Sequence, residues 1–171
     1  YPPGYDMLLG ILNQASTSTA WTLKFFNALI ISLSTVFFYF FAKEFFGNRN
    51  KALFATFALA AVPAYLSHFI WAHALAIALF PQTMYSLEMI KHERKWWAVA
   101  GVCFAAILLA HPTHAIKLTG LVLIYVGVKA ISNLAFDRKS LPQWLRRNLA
   151  YFGAVAFGIF LSLFWWGVKW K

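Results

Sequence analysis

Long apolar runs separated by short polar segments dominate the sequence. A transmembrane helix needs about 20 mostly apolar residues to cross roughly 30 Å of hydrocarbon. Two of the runs are short, so they would have to cross nearly upright or with their ends shielded by protein. The pattern predicts an all-α fold, a polytopic transmembrane helix bundle of about six spans. The spans are expected at about residues 20–42, 52–67, 69–90, 96–110, 113–131 and 148–168.

The first 19 residues do not read as a span. Residues 7–12 are apolar, but the run is too short and polar residues follow it. Pro2 and Pro3 suit the start of a helix, where a missing N–H costs nothing. We therefore predict a short outer interfacial helix within residues 1–19, followed by the six-span bundle at residues 20–168. Residues 1–171 would form a single transmembrane domain that is part of a larger polypeptide.

The basic residues predict the orientation of this bundle, because Lys and Arg concentrate in cytoplasmic loops. The six spans place eleven of the fifteen Lys and Arg residues on one side and four on the other. Both chain ends then lie outside. The eleven residues on the predicted cytoplasmic side are Lys43, Arg49, Lys51, Lys91, Arg94, Lys95, Lys129, Arg138, Lys139, Arg146 and Arg147.

Composition excludes several classes of protein. Charged residues make up 12% of the chain, against roughly 25% in an ordinary soluble domain. The net charge of +10 does not indicate a nucleic-acid binder, because the basic residues punctuate apolar runs instead of forming a polar footprint. Cys103 is the single cysteine, so neither a disulfide framework nor a Cys-based metal site is available within this sequence.

The histidines gather on the predicted outer side. Four of the five lie in or beside the two short outer loops, and Asp6 is the one outer carboxylate. Neutral imidazole and carboxylate ligate divalent cations, and protonated imidazole pairs with phosphate. The alternative is that each histidine sits at headgroup depth and bonds to water or a loop carbonyl. The four residues are His68, His73, His111 and His114.

Three further ionisable residues fall inside predicted span ends. Lys24 and Lys117 lie about one turn within outer ends, where their ammonium groups either reach outward to the interface or contact an anionic lipid-linked phosphate. Glu88 lies near the inner boundary, where we expect solvation by the interface and a pair with Lys91 at i+3. Pro63 and Pro81 are expected to kink the spans that contain them.

Two short motifs resemble one family of membrane enzymes. The first is Tyr1-Pro2-Pro3-Gly4-Tyr5 ahead of a short apolar helix, and the second is Phe46-Gly47-Asn48-Arg49 at the cytoplasmic end of the next span. Both are similar to elements of the GT-C membrane glycosyltransferases, which include protein mannosyltransferases and the catalytic subunits of oligosaccharyltransferases. The resemblance covers roughly residues 1–90, and the remainder more weakly.

That resemblance implies a function. GT-C enzymes take a sugar from a polyprenyl-phosphate carrier on the outer face, and some branches depend on a divalent metal, for which Mg²⁺ or Mn²⁺ is expected. The resemblance implies that His73 and His68 occupy the place of a ligand in the family's second outer loop. Asp6 is the candidate for the catalytic acid, although it follows the Pro-Pro-Gly element and the family's acid precedes it. The membrane would be the plasma membrane of a prokaryote or the endoplasmic reticulum.

Three functions follow as hypotheses. The first is a glycosyltransferase segment whose outer pocket contacts the lipid-linked sugar through the Tyr1–Tyr5 residues, Lys24 and Lys117. The second is a non-catalytic subunit of a membrane or cell-envelope complex with the same bundle. The third is a transporter segment, with the two prolines as broken-helix positions. Expected partners are the bilayer, the polyprenyl-phosphate-linked sugar, and the rest of the chain or other membrane subunits.

Overall fold

The chain folds into a bundle of α-helices. The computed structural model describes residues 4–16, 18–66, 72–137 and 141–169. Throughout those ranges the regular elements are helical, which confirms the all-α prediction. The helices are α1 (Gly4–Ala15), α2 (Thr19–Phe46), α3 (Arg49–Ala60), α4 (Pro63–Leu66), α5 (Ala72–Met89), α6 (Trp96–Ala110), α7 (Pro112–Asp137) and α8 (Leu141–Lys169).

Three of the described helices are long and apolar enough to cross a membrane. They are α2, the Pro112–Ser132 part of α7 and the Asn148–Val168 part of α8. These match the first, fifth and sixth predicted spans. Helix α6 is apolar over 15 residues, a rise of about 22 Å, and α5 contains Pro81 within its length. The remaining three crossings, and hence the number six, stay predictions.

The second predicted span is interrupted. Helix α3 ends at Ala60, the chain turns at Ala61 and Val62, and Pro63 opens α4. Pro63 has no N–H to donate backward and suits the first turn of a new helix, so the expected kink is a complete interruption. The hydroxyl of Tyr65 in α4 is buried and donates to Ser34 Oγ at 2.6 Å, near the middle of α2.

A glycine and an asparagine make the tight turn between α2 and α3. Gly47 has a φ of 62°, a left-handed conformation that glycine adopts without strain, and its N–H bonds to the Lys43 carbonyl. Asn48 then caps α3, since its Oδ1 accepts from the N–H groups of Asn50 at 2.9 Å and Lys51 at 3.1 Å. The Phe-Gly-Asn-Arg motif is therefore a helix stop followed by a helix start.

Ring and core contacts fix the relative direction of the helices. Phe26 shares a buried cluster with Leu75, whereas Phe40 contacts Tyr85, so α2 and α5 run in the same direction. We call the end that holds α1, the start of α5 and the junction of α6 with α7 the α1 end. The other end, at the α2–α3 turn, is the Gly47 end. Each half of the bundle has its own apolar cluster.

Helices α6 and α8 pack closely against each other. A Cβ atom on Gly158 would lie 2.9 Å from the Gly101 carbonyl oxygen and 2.6 Å from a ring carbon of Phe104. A Cβ atom on Gly101 would in turn lie 3.0 Å from the Ala154 carbonyl oxygen. Small residues allow this approach of two backbones, as is common between membrane helices.

The loop predicted at residues 132–147 is largely helical. Helix α7 continues to Asp137, and α8 begins at Leu141, so both helices extend beyond the apolar spans predicted at residues 113–131 and 148–168. Polar side chains beyond a bilayer remain solvated, so a helix does not have to end where its apolar run ends. The hydrophobic pattern marked the apolar run and missed this extension.

Candidate functional site

Helix α1 is fixed to the bundle through its first turn. Gly4 lies so close to the end of α6 that a Cβ atom would be 2.9 Å from the Leu109 carbonyl oxygen. The buried ring of Tyr5 contacts Phe26 of α2, with ring centroids 5.9 Å apart. Asp6 follows on the exposed side of the same turn. This contact places the described part of the Pro-Pro-Gly element beside the junction of α6 with α7.

That junction carries two of the four predicted histidines. His111 is the C-cap of α6, and its carbonyl accepts from the Ala115 N–H at 2.8 Å, which begins α7. His114 lies three residues later, so the two rings meet on one side of the new helix. Their Nδ1 atoms are 3.4 Å apart, and the rings make a T-shaped contact with centroids 5.0 Å apart. Both side chains are half-buried.

The start of α5 joins the same end. Leu75 and Ala76 pack in one buried cluster with Tyr5 of α1 and Ala115 of α7. His73 belongs to the first turn of α5, two residues before Leu75, so its backbone lies next to this cluster. The side chain of His73 is outside the described part of the structure, as are His68 and Tyr1, Pro2 and Pro3.

The two predicted lysines at this end are exposed. Lys24 lies in the second turn of α2 and Lys117 in the second turn of α7. Neither lysine makes a hydrogen bond or ion pair with another described residue, as expected of side chains that extend to the membrane interface. The structure therefore places both lysines near the α1 end without joining them to the histidines.

Two features at the α1 end were not predicted. The hydroxyl of Tyr5 is buried and finds no hydrogen-bond partner among the described residues. Burial, and then the neighbouring Asp6 carboxylate, raise the pKa of Tyr5 above its ordinary value of 10.0. A groove of about 530 Å³ also opens beside α7, where Thr119 has a second buried hydroxyl without a described partner. The other lining residues are Leu108, Pro112, Ala115, Ile116 and Trp166.

The described residues do not supply a complete metal site. Within them, no group of three or more His, Cys, Asp and Glu side chains could hold one ion. His111 and His114 offer at most two nitrogen ligands, whereas Mg²⁺ prefers oxygen ligands. The Mg²⁺ or Mn²⁺ expectation therefore stays a prediction that depends on residues outside the described ranges.

A buried carboxylate with several partners lies at the Gly47 end. The Glu88 side chain is 3% exposed and accepts from Lys91 Nζ at 3.1 Å and Lys129 Nζ at 2.9 Å. The Tyr125 hydroxyl donates to the same carboxylate. Lys91 also contacts Glu44 at 3.3 Å, which links α2 to the network. The predicted pair with Lys91 is confirmed, but burial and a second lysine replace the expected solvation.

Sequence reasoning missed Tyr125 and Lys129 as partners of Glu88 because they lie 37 and 41 residues away. One signal was available. Tyr125 and Lys129 are separated by four residues and so share one face of α7, and an acid within a predicted span usually has a polar partner inside the bundle.

The described residues of the α1 end include imidazole and ammonium groups and one carboxylate, Asp6. Imidazole and ammonium groups stabilise negative charge on a phosphate, and Asp6 is an exposed carboxylate able to accept a proton. The three helix ends that carry Asp6, His73 and His111 meet around one buried cluster. Their participation in a single site remains a prediction.

The sequence matches a protein family over residues 1–166, and that family is described as dolichyl-phosphate-mannose-protein mannosyltransferase. Comparisons with curated proteins and with solved structures give no match. The family match spans nearly the whole chain and confirms the resemblance to the GT-C membrane glycosyltransferases. Together with the three apolar helices, it identifies an integral membrane protein.

Proposed function

We propose that this chain, which belongs to the dolichyl-phosphate-mannose-protein mannosyltransferase family, forms part of an enzyme that transfers a sugar from a polyprenyl-phosphate carrier. The reaction would take place at the α1 end, facing the outer or lumenal side. The observation that carries this proposal is the meeting of three segments there: the first turn of α1, the start of α5 and the His111–His114 pair.

The chemistry requires a base and a cationic environment. An acceptor hydroxyl oxygen attacks the anomeric carbon, the bond from that carbon to the phosphate oxygen breaks, and the polyprenyl phosphate leaves. Asp6 is the candidate to take the hydroxyl proton, because it is the described carboxylate at this end. His111, His114 and His73 are the candidates to stabilise the negative charge that develops on the phosphate. A divalent metal, when bound, would neutralise the same charge.

The two exposed lysines fit a role in donor binding. Lys24 and Lys117 lie in the second turns of α2 and α7, at the depth where an ammonium group meets lipid headgroups. A lipid-linked phosphate reaches the site from that same level. We therefore expect both lysines to affect the KM for the donor more than kcat.

A second function is favoured by the scarcity of acids. Among the described residues of the α1 end, Asp6 is the one carboxylate, and no metal site is complete. A non-catalytic subunit with the same bundle would need neither a catalytic carboxylate nor a metal site. The proposed enzyme and this alternative differ in whether substitutions at the α1 end change sugar transfer.

Substitution of His73 tests the proposed function. His73→Ala in the full-length protein should lower sugar transfer from a polyprenyl-phosphate donor at least about tenfold, or about 1.4 kcal/mol of transition-state stabilisation. His92→Ala is the matched control, because His92 is exposed and pairs with Glu44 at the Gly47 end. Equal turnover by wild type and His73→Ala, at matched expression, would favour the non-catalytic subunit.

Cysteine labelling tests the proposed orientation. In a Cys103→Ala background, a cysteine at Ser16 should react with an impermeant thiol reagent in intact cells, and a cysteine at Ser140 should not. The expectation follows from the eleven-to-four distribution of basic residues. Labelling at Ser140 without labelling at Ser16 would reverse the topology.

A further inference from the structure

A second groove lies at the Gly47 end of the bundle, between α6 and α8. It has a volume of about 350 Å³, within the roughly 300–1,000 Å³ range of ligand sites. Its lining combines one guanidinium group with apolar and aromatic surface. The lining residues are Arg94, Trp97, Leu149, Ala150 and Gly153.

The lining residues are ordered by depth in the bundle. Arg94 lies in the turn immediately before α6, and Trp97 lies in the first turn of that helix. Leu149 and Gly153 continue the groove along α8, inside the apolar Asn148–Val168 stretch. From the Gly47 end toward the middle of the bundle, the groove therefore presents a cation, then an amphipathic ring, and then an apolar channel.

Glycine keeps this channel open. A Cβ atom on Gly153 would be in ordinary contact with the Trp97 ring, at 3.9 Å, so any longer side chain would occupy the groove. Trp97 is itself held by a T-shaped contact with Phe157, with ring centroids 5.3 Å apart. The aromatic wall is therefore fixed by packing between α6 and α8, and the space beside it follows from the missing side chain.

The charges around the groove favour an anionic occupant. The guanidinium of Arg94 lines the groove itself. Arg94 belongs to the predicted cytoplasmic side of the chain, which carries eleven of the fifteen Lys and Arg residues and four acidic residues, so the surroundings of the groove are expected to be net positive.

We propose that this groove binds one anionic phospholipid, with its phosphate at Arg94 and an acyl chain along Trp97, Leu149 and Gly153. Basic pockets between membrane helices bind anionic headgroups in this way. The site is at the opposite end from the proposed sugar-transfer site. It does not rest on that function, and its test does not use enzyme activity.

Native mass spectrometry of the delipidated full-length protein tests the headgroup contact. The probes are phosphatidylglycerol and, as the uncharged counterpart, phosphatidylcholine. Arg94→Gln should reduce the preference for phosphatidylglycerol over phosphatidylcholine roughly fivefold, the equivalent of about 1 kcal/mol per basic residue near the headgroup. Lys95→Gln removes the same charge from the adjacent, exposed position outside the groove and should change the preference less than about twofold.

Filling the groove tests the acyl contact. Gly153→Leu should lower the occupancy of the first bound lipid of either kind, because the new side chain occupies the apolar channel. Gly167→Leu, on the same helix with open space around the glycine, should leave that occupancy unchanged. Arg94→Gln behaving like Lys95→Gln, or Gly153→Leu like Gly167→Leu, would overturn the proposal. Displacement of phosphatidylglycerol by inorganic phosphate alone would also overturn it, since it would indicate a free-phosphate site.

Discussion

Removing the Glu88 carboxylate should destabilise the bundle more than any other single charge deletion at the Gly47 end. The side chain is 3% exposed and has three donors, Lys91, Lys129 and the Tyr125 hydroxyl. Breaking a buried ion pair by deleting one partner costs about 3–5 kcal/mol. The two lysines are about one-third exposed, at 34% and 29%, and can move toward the interface. We therefore expect about 3 kcal/mol for Glu88→Ala.

The assay is reversible unfolding in mixed micelles, with the free energy of unfolding compared at one fixed denaturant composition. Glu93→Ala is the matched control, since Glu93 is 55% exposed and pairs with the exposed Lys95. Exposed pairs contribute about 0–1 kcal/mol. Glu88→Gln, which keeps an acceptor but loses the charge, should fall between the two variants.

A double-mutant cycle separates the ion pair from simple loss of packing. Glu88→Ala combined with Lys129→Ala should show a coupling energy of at least about 1 kcal/mol, because the two groups are in direct contact. A coupling below about 0.5 kcal/mol, or a Glu88→Ala cost equal to that of Glu93→Ala, would refute the argument that this network joins α5 to α7.

Three other substitutions have defined expectations, each measured by the same unfolding assay. Tyr65→Phe should cost about 1–2 kcal/mol, because it leaves the buried Ser34 hydroxyl without its partner; a neutral effect would contradict the contact. Gly158→Ala should cost about 1–3 kcal/mol through overpacking, whereas Gly167→Ala should be neutral or stabilising; equal effects would contradict the close approach of α6 and α8. Tyr5→Phe should be neutral or stabilising below pH 10, since the hydroxyl has no described partner. The folded-state pKa of Tyr5 is raised, so the contribution of this protonation to the free energy of unfolding is complete below the unfolded pKa of about 10 and is lost as the pH rises through the folded pKa. Above pH 10 the wild type should therefore lose more stability than Tyr5→Phe. Parallel profiles of unfolding free energy against pH would contradict the shift.

The apolar parts of the longest helices could be predicted because their signals are local. An apolar run and a capping glycine are visible in consecutive residues, so α2 and its end at Gly47 followed from the sequence. The interruption at Pro63 was predicted only in part. Proline predicts a kink, but it does not predict where the preceding helix ends. Nothing local indicated that α7 would continue to Asp137.

The candidate site could be predicted only as a location. The structure places Gly4 against Leu109, two residues before His111, but whether these residues share one site stays a prediction. Pairing between side chains on different helices could not be predicted, because it depends on the rotation of each helix about its axis. The contact of His111 with His114 is local and follows from spacing, whereas the partners of Glu88 depend on how α5 and α7 face each other.

The short α3 helix has a consequence for how the protein enters its membrane. Its 12 residues rise about 18 Å, against a hydrocarbon thickness of roughly 30 Å. A segment of this length cannot partition into lipid on its own during synthesis. The Gly47–Asn48 turn connects α3 directly to α2, and the Tyr65–Ser34 hydrogen bond ties the following α4 to α2. We therefore expect α2 and α3 to leave the insertion machinery together, as one hairpin. The order of biogenesis would then be set by a two-residue turn.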